Sequence, residues 1–345
     1  MTFATLDGPR TLSWHEQPPP ALAPGEVLVR IRAALTCGTD LKTYRRGHPK
    51  LAYGPFGHEA AGDIEAVAAG VTEFSPGDAV MWVQTAPCGA CEACRHGNEN
   101  LCEHIFDDIA LGAYGTHLRL AEKIVRQNLY RKPAHLSYIE AAFLEPLACI
   151  THGWAVLRRA NATQPMPRSI AIIGAGTIGL LHLIYAVQAG VHATVFARGA
   201  ARLDIAMRLG ADAVVDAAAP ARETEPQFDA VIECAGTPDA WRQAIALASP
   251  GGRVLFFGGL PSGTDVPVDA GRIHYDELAC LGSFHFTPAD VREARDLLAG
   301  GAANVRPLIS GIEALRSLPE VFERLDNREG FKYALVPEPA PVGWV

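Results

Sequence analysis

Cys88, Cys91, Cys94 and Cys102 stand in a C-x2-C-x2-C-x7-C run, a spacing that can close a tetrahedral thiolate cage around Zn²⁺. Four thiolates leave no open coordination position, so such a site is structural and pins a loop that cannot build its own core. Gly89, Gly97 and Asn98 suit the tight turns of such a lobe, taken as about residues 86–104. An iron–sulfur cluster or a redox pair would be the alternative use of four clustered cysteines. A second set lies upstream. Cys37 in Thr36-Cys-Gly-Thr-Asp40 and His58-Glu59 in Gly57-His-Glu-Ala-Ala-Gly62 offer a thiolate, an imidazole and a carboxylate. A catalytic zinc takes about three protein ligands and keeps one position for water or substrate. A lone cysteine or histidine is often packed core instead. Glu145, in Phe143-Leu-Glu-Pro-Leu-Ala148, is a fourth candidate, because a carboxylate in an apolar segment is costly unless paired or metal-bound.

Gly174-Ala-Gly176-Thr177-Ile178-Gly179 spells the G-x-G-x-x-G fingerprint of a dinucleotide loop. The glycines permit a tight turn, close approach of backbone to pyrophosphate, and close helix–strand packing, with phosphate at the helix N-terminus. NAD specificity normally uses an acidic residue at the end of the next strand, about 20 residues on. That position holds Ala197, and Arg198 and Arg202 follow it. Missing repulsion and available guanidinium groups favour a 2′-phosphate, hence NADP(H) over NAD(H). Cys234, Gly258, Gly259, Leu260, Ser283 and Phe284 fall at the carboxyl ends of later strands, where cofactors lie in such sheets.

These residues need elements to hold them. Before residue 137 the chain reads as short strands entered through glycine turns, including 26–32, 62–67 and 77–83, with few helical periods. A helix signal starts at Ser137 and runs through Ala148 towards Arg159; residues 161–167 read as a linker. Strands are then expected at 169–173, 193–197, 213–215, 230–233 and 253–257, with helices at 177–189, 200–209 and 238–248. That alternation means a doubly wound parallel sheet, with 278–284 as a sixth strand. From about Pro288 two amphipathic helices and a last strand, 332–336, are too short for a domain and should pack back onto the first one; the end from Pro337 reads as loose.

The 345-residue length suits two domains, and 49% hydrophobic with 20% charged residues is ordinary for a globular protein. A net charge of −8 argues against nucleic acid or anionic membrane as partner. No apolar run approaches a membrane span of about 18 residues, and Met1-Thr-Phe-Ala-Thr-Leu-Asp7 carries no evident signal peptide. Four clustered cysteines with four scattered ones fit metal-bound thiolates in a reducing compartment, which points to the cytoplasm.

Taken in order, C-G-T-D, G-H-E-x-x-G, C-x2-C-x2-C-x7-C, E-P-L-A and G-x-G-x-x-G resemble the zinc-dependent medium-chain dehydrogenases, most of all their sorbitol and threonine dehydrogenase-like branch. The resemblance covers nearly the whole chain. It implies a GroES-like catalytic domain, residues 1–155 completed by 288–345, split around a Rossmann domain at 156–287, with the active site in the cleft. It implies two zinc ions per chain. Cys37 and His58 would be steady ligands of the catalytic one, with Glu59 and Glu145 both at or next to it. Thr39 stands where the family has the Ser or Thr that first takes the proton; where a His often follows, this chain has Lys42, which leaves the next step open. A metal of this kind acts as a Lewis acid towards an alcohol while hydride leaves for the nicotinamide, which must be held close and correctly faced.

The carboxylate-rich donor set resembles that of polyol and amino-alcohol dehydrogenases, so a secondary alcohol on a polar chain is expected. Tyr44, Phe56, Phe106 and Tyr114 could line the cleft, although such aromatics more often fill a core. The basic stretch Arg45-Arg46-Gly-His48-Pro-Lys50 hints at an anionic substrate, with a solvated loop as the plainer reading. A homodimer or homotetramer is expected from the resemblance, with 278–284 as a strand that could pair across a two-fold axis. Two other readings compete: a zinc-independent enone or quinone reductase, and a non-catalytic NADP-binding protein on the same scaffold.

Overall fold

The computed structural model describes residues 1–48, 52–160, 165–218 and 227–337. Lys50, residues 161–164 of the expected linker and the end from residue 338 lie outside them. Two compact units result: Met1–Ala148 with Phe286–Gly301 and Val305–Val345, and Cys149–His285 with Ala302–Asn304.

The first unit is built on a mixed seven-stranded sheet. Its central strand, Val27–Leu35, pairs antiparallel with Glu59–Val67, His117–Leu120 and Lys332–Val336. Packed on both faces, it reads as a nearly continuous apolar run in which only Arg30 is exposed. Lys332–Val336 thus brings the tail into the first sheet, and a strand not foreseen, Ile309–Ala314, pairs parallel beside it. Leu35 lies opposite Glu59, so the ladder sets the start of one strand against the end of the other. Helix Gly38–Arg46 starts three residues beyond Leu35, with Cys37 as N-cap and Asp40 in its first turn. A smaller antiparallel sheet contains the N-terminal hairpin Thr2–Gly8 and Thr11–Glu16. Tyr44, Phe56 and Tyr114 do not line an opening; all three are buried around Phe322, with ring centroids 5.0, 5.6 and 5.9 Å from it. Aromatic area of this size stabilises most where water is excluded, and a core surrounds these rings.

The second unit is a six-stranded sheet, parallel throughout, in the order Ala213–Asp216, His192–Ala197, Ser169–Ile173, Phe228–Glu233, Ala248–Phe256, Ala279–Gly282. Its strands run 3-2-1-4-5-6 by chain order, the doubly wound Rossmann arrangement whose order reverses beside the first strand. The sixth strand is shorter than expected, so Ser283 and Phe284 follow its end. The helix expected from Ser137 is broken at Ala142 and Phe143 into Tyr138–Ala141 and Leu144–Arg159.

Candidate active site

Cys37, His58 and Glu59 place one ligand atom each within 4.8 Å of one another. Gly57, at φ +90°, lets the chain turn just before His58, and a Cβ there would lie 2.7 Å from the Tyr114 ring. The imidazole is fixed from behind, because its Nδ1 lies 2.9 Å from Asp40 Oδ1. Nε2 is thereby left as the nitrogen able to bind a metal. Glu59 is buried and pairs with the equally buried Lys332, whose Nζ also donates to the Thr36 carbonyl at 2.7 Å.

Burial sets the electrostatics. It pushes the Cys37 thiol up, and the neighbouring Glu59 carboxylate adds to the rise. Burial also pushes Glu59 up to about 7, Lys332 opposes this, and Glu145 raises it further. Burial alone would lower His58, but Asp40 and Cys37 outweigh it and hold the imidazole well above its usual value. Two potentially anionic donors are thus driven towards their neutral forms, with one buried ammonium beside Glu59. A divalent cation would relieve both, which is the charge such a donor set fits.

Glu145 stands outside this trio. It is buried, and its Oε1 accepts from Gln84 Nε2 at 2.7 Å. Thr39 is exposed on the first turn of the helix, its N–H donating to Cys37 Sγ at 3.4 Å; Lys42 is exposed farther along.

Cys88, Cys91, Cys94 and Cys102 also converge to within 4.8 Å. Cys91 Sγ lies 3.5 Å from Cys94 Sγ and 3.7 Å from Cys102 Sγ. Backbone N–H groups aim at the sulfurs: Ala90 and Cys91 donate to Cys88, and Cys88 and His104 to Cys102, at 3.3–3.4 Å. The donors from Ala90 and Cys91 bring the Cys88 thiol down to about 6, whereas burial pushes Cys94 up to about 12. Four sulfurs around one point, two of them braced by N–H groups, fit a closed tetrahedral zinc cage.

In the other unit, Gly174 has φ +106°, and a Cβ there would meet Ala235 N at 3.2 Å. Gly176 caps helix Thr177–Gln188, whose first residues are Thr177, Ile178 and Gly179. A Cβ on Gly179 would fall 1.8 Å from the Gly174 carbonyl, so only glycine lets the helix approach the strand. Arg202 bonds back to this loop, its Nη1 donating to the Ala175 carbonyl at 2.9 Å, while Arg198 is exposed. Cys234 follows its strand with its thiol pushed well up by burial, the behaviour of a packing residue and not of a nucleophile. Gly258 has no room for a Cβ, which would sit 2.5 Å from Gly236 N; Gly259 has open space, and Leu260 is half-buried beside it.

This chain matches the alcohol dehydrogenase GroES-like domain family over residues 23–129 and the zinc-binding dehydrogenase family over residues 177–300. A D-altritol 5-dehydrogenase of Agrobacterium fabrum is 31% identical over 305 residues, 86% of this chain and 87% of the relative. The chain belongs to the zinc-dependent medium-chain dehydrogenases. A sorbitol dehydrogenase of Bacillus subtilis is 29% identical over 340 residues, covering 94% and 93% of the two chains. A zinc-binding dehydrogenase of Sinorhizobium meliloti 1021, solved bound to NADP, superposes with a TM-score of 0.87 at 29% identity, over 97% of this chain and 99% of that one. The protein is accordingly an oxidoreductase of the polyol dehydrogenase branch, with a GroES-like and a Rossmann domain. Among the described residues no helix is long and apolar enough to cross a membrane.

Four contributors to this dehydrogenase's sites were not singled out from the sequence. Asp40 sits three residues after Cys37, a spacing that puts it on the same helical turn and could have been read. Lys332, Gln84 and Glu233 carried no local signal. Glu233 closes the turn after its strand, its Oε1 accepting from the N–H groups of Ala235 and Gly236, each at 2.7 Å.

Proposed function

We propose that this dehydrogenase moves hydride between a secondary alcohol on a polyol, sugar or amino-alcohol chain and a nicotinamide, with NADP(H) favoured over NAD(H). The convergence of Cys37, His58 and Glu59 carries the reading, because a zinc-independent reductase or a cofactor-binding protein without activity needs no such open donor set. Cys37 and His58 would hold the metal, with Glu59 and Glu145 as its carboxylates; Cys88, Cys91, Cys94 and Cys102 would hold a second, structural ion. When bound, the catalytic zinc supplies a Lewis acid and the nicotinamide a hydride acceptor.

The chain's own groups do the rest. Asp40 keeps the imidazole in one tautomer. Lys332 opposes the burial that drives Glu59 towards its protonated form. The Thr39 hydroxyl takes the proton leaving the substrate hydroxyl and passes it towards solvent, where Thr39 is itself exposed. Gly174, Gly176 and Gly179 bring backbone N–H groups to the pyrophosphate, with Thr177 and Ile178 at the helix start. Gly258, Gly259, Leu260, Ser283 and Phe284, at or just after strand ends, would line the rest of the cofactor site. The polyol names of the relatives support the substrate class. The thiol-rich zinc lobe supports a reducing, cytoplasmic setting. The edge strand Ala279–Gly282 is the part of the sheet that a second copy would meet in a homo-oligomer.

Parallel assays of polyols, sugars, sugar phosphates and amino alcohols with NAD⁺ and NADP⁺, on protein of measured zinc content, test this directly. Turnover of at least one polyol-type alcohol with about two zinc ions per chain is expected. Zinc-free protein, or activity indifferent to zinc removal, would refute it. Coenzyme choice has its own test. Ala197 offers no carboxylate to a ribose 2′-hydroxyl, and Arg198 lies exposed beside it. Arg198→Asp should therefore weaken NADP⁺ binding by about tenfold or more and spare NAD⁺, since it removes a charge-assisted bond and adds repulsion. An unchanged NADP⁺/NAD⁺ ratio of kcat/KM would remove Arg198 from the account.

A further inference from the structure

Tyr114 is fully buried, yet its hydroxyl is directed at a charged group. The phenol donates to Asp40 Oδ2 at 2.7 Å, with the Leu35 carbonyl a longer 3.2 Å away. One proton cannot serve both equally, and the shorter, charge-assisted contact takes it. The other oxygen of the same carboxylate, Oδ1, faces His58 Nδ1 at 2.9 Å. Tyr114, Asp40 and His58 therefore form one line, buried at Tyr114 and Asp40, that ends at the donor set. The tyrosine ring is held independently, edge-on to Phe56 and Phe322 and against Gly57. It is a rigid mount from which the hydroxyl acts.

We propose that Tyr114 is a positioning residue for the metal-binding imidazole: its hydroxyl fixes the Asp40 carboxylate, and through it the rotation and tautomer of His58. The inference rests on the reading of Cys37, His58 and Glu59 as a zinc site. Physically, Asp40 is buried and its Oδ2 has Tyr114 as a donor that no water readily replaces. Without that donor the carboxylate is free to turn, and the imidazole loses the fixed partner that sets its ring plane. Burial and the adjacent carboxylate hold the phenol well above its usual pKa, so it remains a donor throughout the neutral range.

The test is zinc affinity of the full chain, measured by competition with a chromophoric chelator, with Cys37→Ser reporting the four-cysteine lobe alone. Tyr114→Phe keeps the ring and its packing and removes one oxygen. It should weaken zinc at the Cys37 set about tenfold, in line with the loss of an outer partner, and leave the lobe's affinity unchanged. Asp40→Asn should weaken the site as well, and Tyr114→Phe on top of Asp40→Asn should add almost nothing, because the hydroxyl acts only through that carboxylate. A merely structural tyrosine would not show this coupling. Zinc affinity within twofold of wild type in Tyr114→Phe, or losses that simply multiply in the double variant, would overturn the proposal. If the wild type itself held no zinc at the Cys37 set, the functional reading would fail instead, and the two failures are told apart by that one control.

Discussion

Cys37→Ser should lower kcat/KM for the alcohol substrate by at least roughly a thousandfold, about 4 kcal/mol of transition-state stabilisation, the scale on which an active-site metal acts. Serine keeps the geometry but not the donor: its hydroxyl stays protonated near neutral pH, whereas a metal-bound thiol is deprotonated outright. The remaining members of the trio cannot compensate. His58 offers one nitrogen, and Glu59 is already paired with Lys332. The zinc content should fall from about two ions per chain to about one, since the four-cysteine lobe uses none of these residues. The fold should survive. Cys37 is the N-cap of helix Gly38–Arg46, accepting from Thr39 N, and serine is a better cap than cysteine. Dinucleotide binding, assigned above to the glycine loop of the other unit, should be unaffected. Retention of both zinc ions, or activity within tenfold of wild type, would mean that the sulfur is not a ligand.

The three sites were legible to different degrees because different physics encodes them. The four-cysteine lobe is local: its ligands lie close in the chain, and their spacing alone brings the sulfurs together. The glycine loop is local too, and the apolar runs on either side of it, residues 169–173 and 177–189, mark a buried strand and a buried helix. The trio Cys37, His58 and Glu59 was visible as two motifs, but what joins them is the pairing of Leu35 with Glu59, a register that no motif states. Helix Gly38–Arg46 has no readable period in the sequence, because only Leu41 and Tyr44 interrupt its polar run. Lys332 reaches Glu59 across 273 residues of chain, and Tyr114 reaches Asp40 across 74. Such contacts are created by the sheet and the aromatic core, and a sequence holds no local trace of them. The same core explains why Tyr44, Phe56 and Tyr114 were ambiguous: aromatic side chains serve a binding surface and an interior equally well, and only the sheet decides which side of it they face.

His182 carries the second large effect, on stability. It lies in the middle of helix Thr177–Gln188, fully buried, and among the described residues neither ring nitrogen has a hydrogen-bond partner. The Phe257 ring meets it edge-on at 4.8 Å, and Gly153 leaves just enough space beside it, since a Cβ there would come within 3.2 Å of Cε1. Burial alone brings this imidazole down from 6.5 to about 3. A folded-state pKa below the unfolded one means that the unfolded chain binds the proton first. The stability contributed by the neutral ring is complete above the unfolded value and drains away as pH falls from 6.5 towards 3. Each pH unit in that window costs about 1.4 kcal/mol. His182→Leu fills the same space with an apolar side chain and has no proton to bind, so it should also be no less stable at pH 7.5, where the wild type buries two unsatisfied nitrogens. Urea unfolding of both proteins should show the variant's advantage growing by about 2 kcal/mol between pH 7.5 and 5.0. The comparison isolates one residue, because every other titrating group, the zinc ligands included, is common to both chains. A difference that stays constant to within about 0.5 kcal/mol across that range would show that the folded protein accepts the proton at His182 as readily as the unfolded chain does.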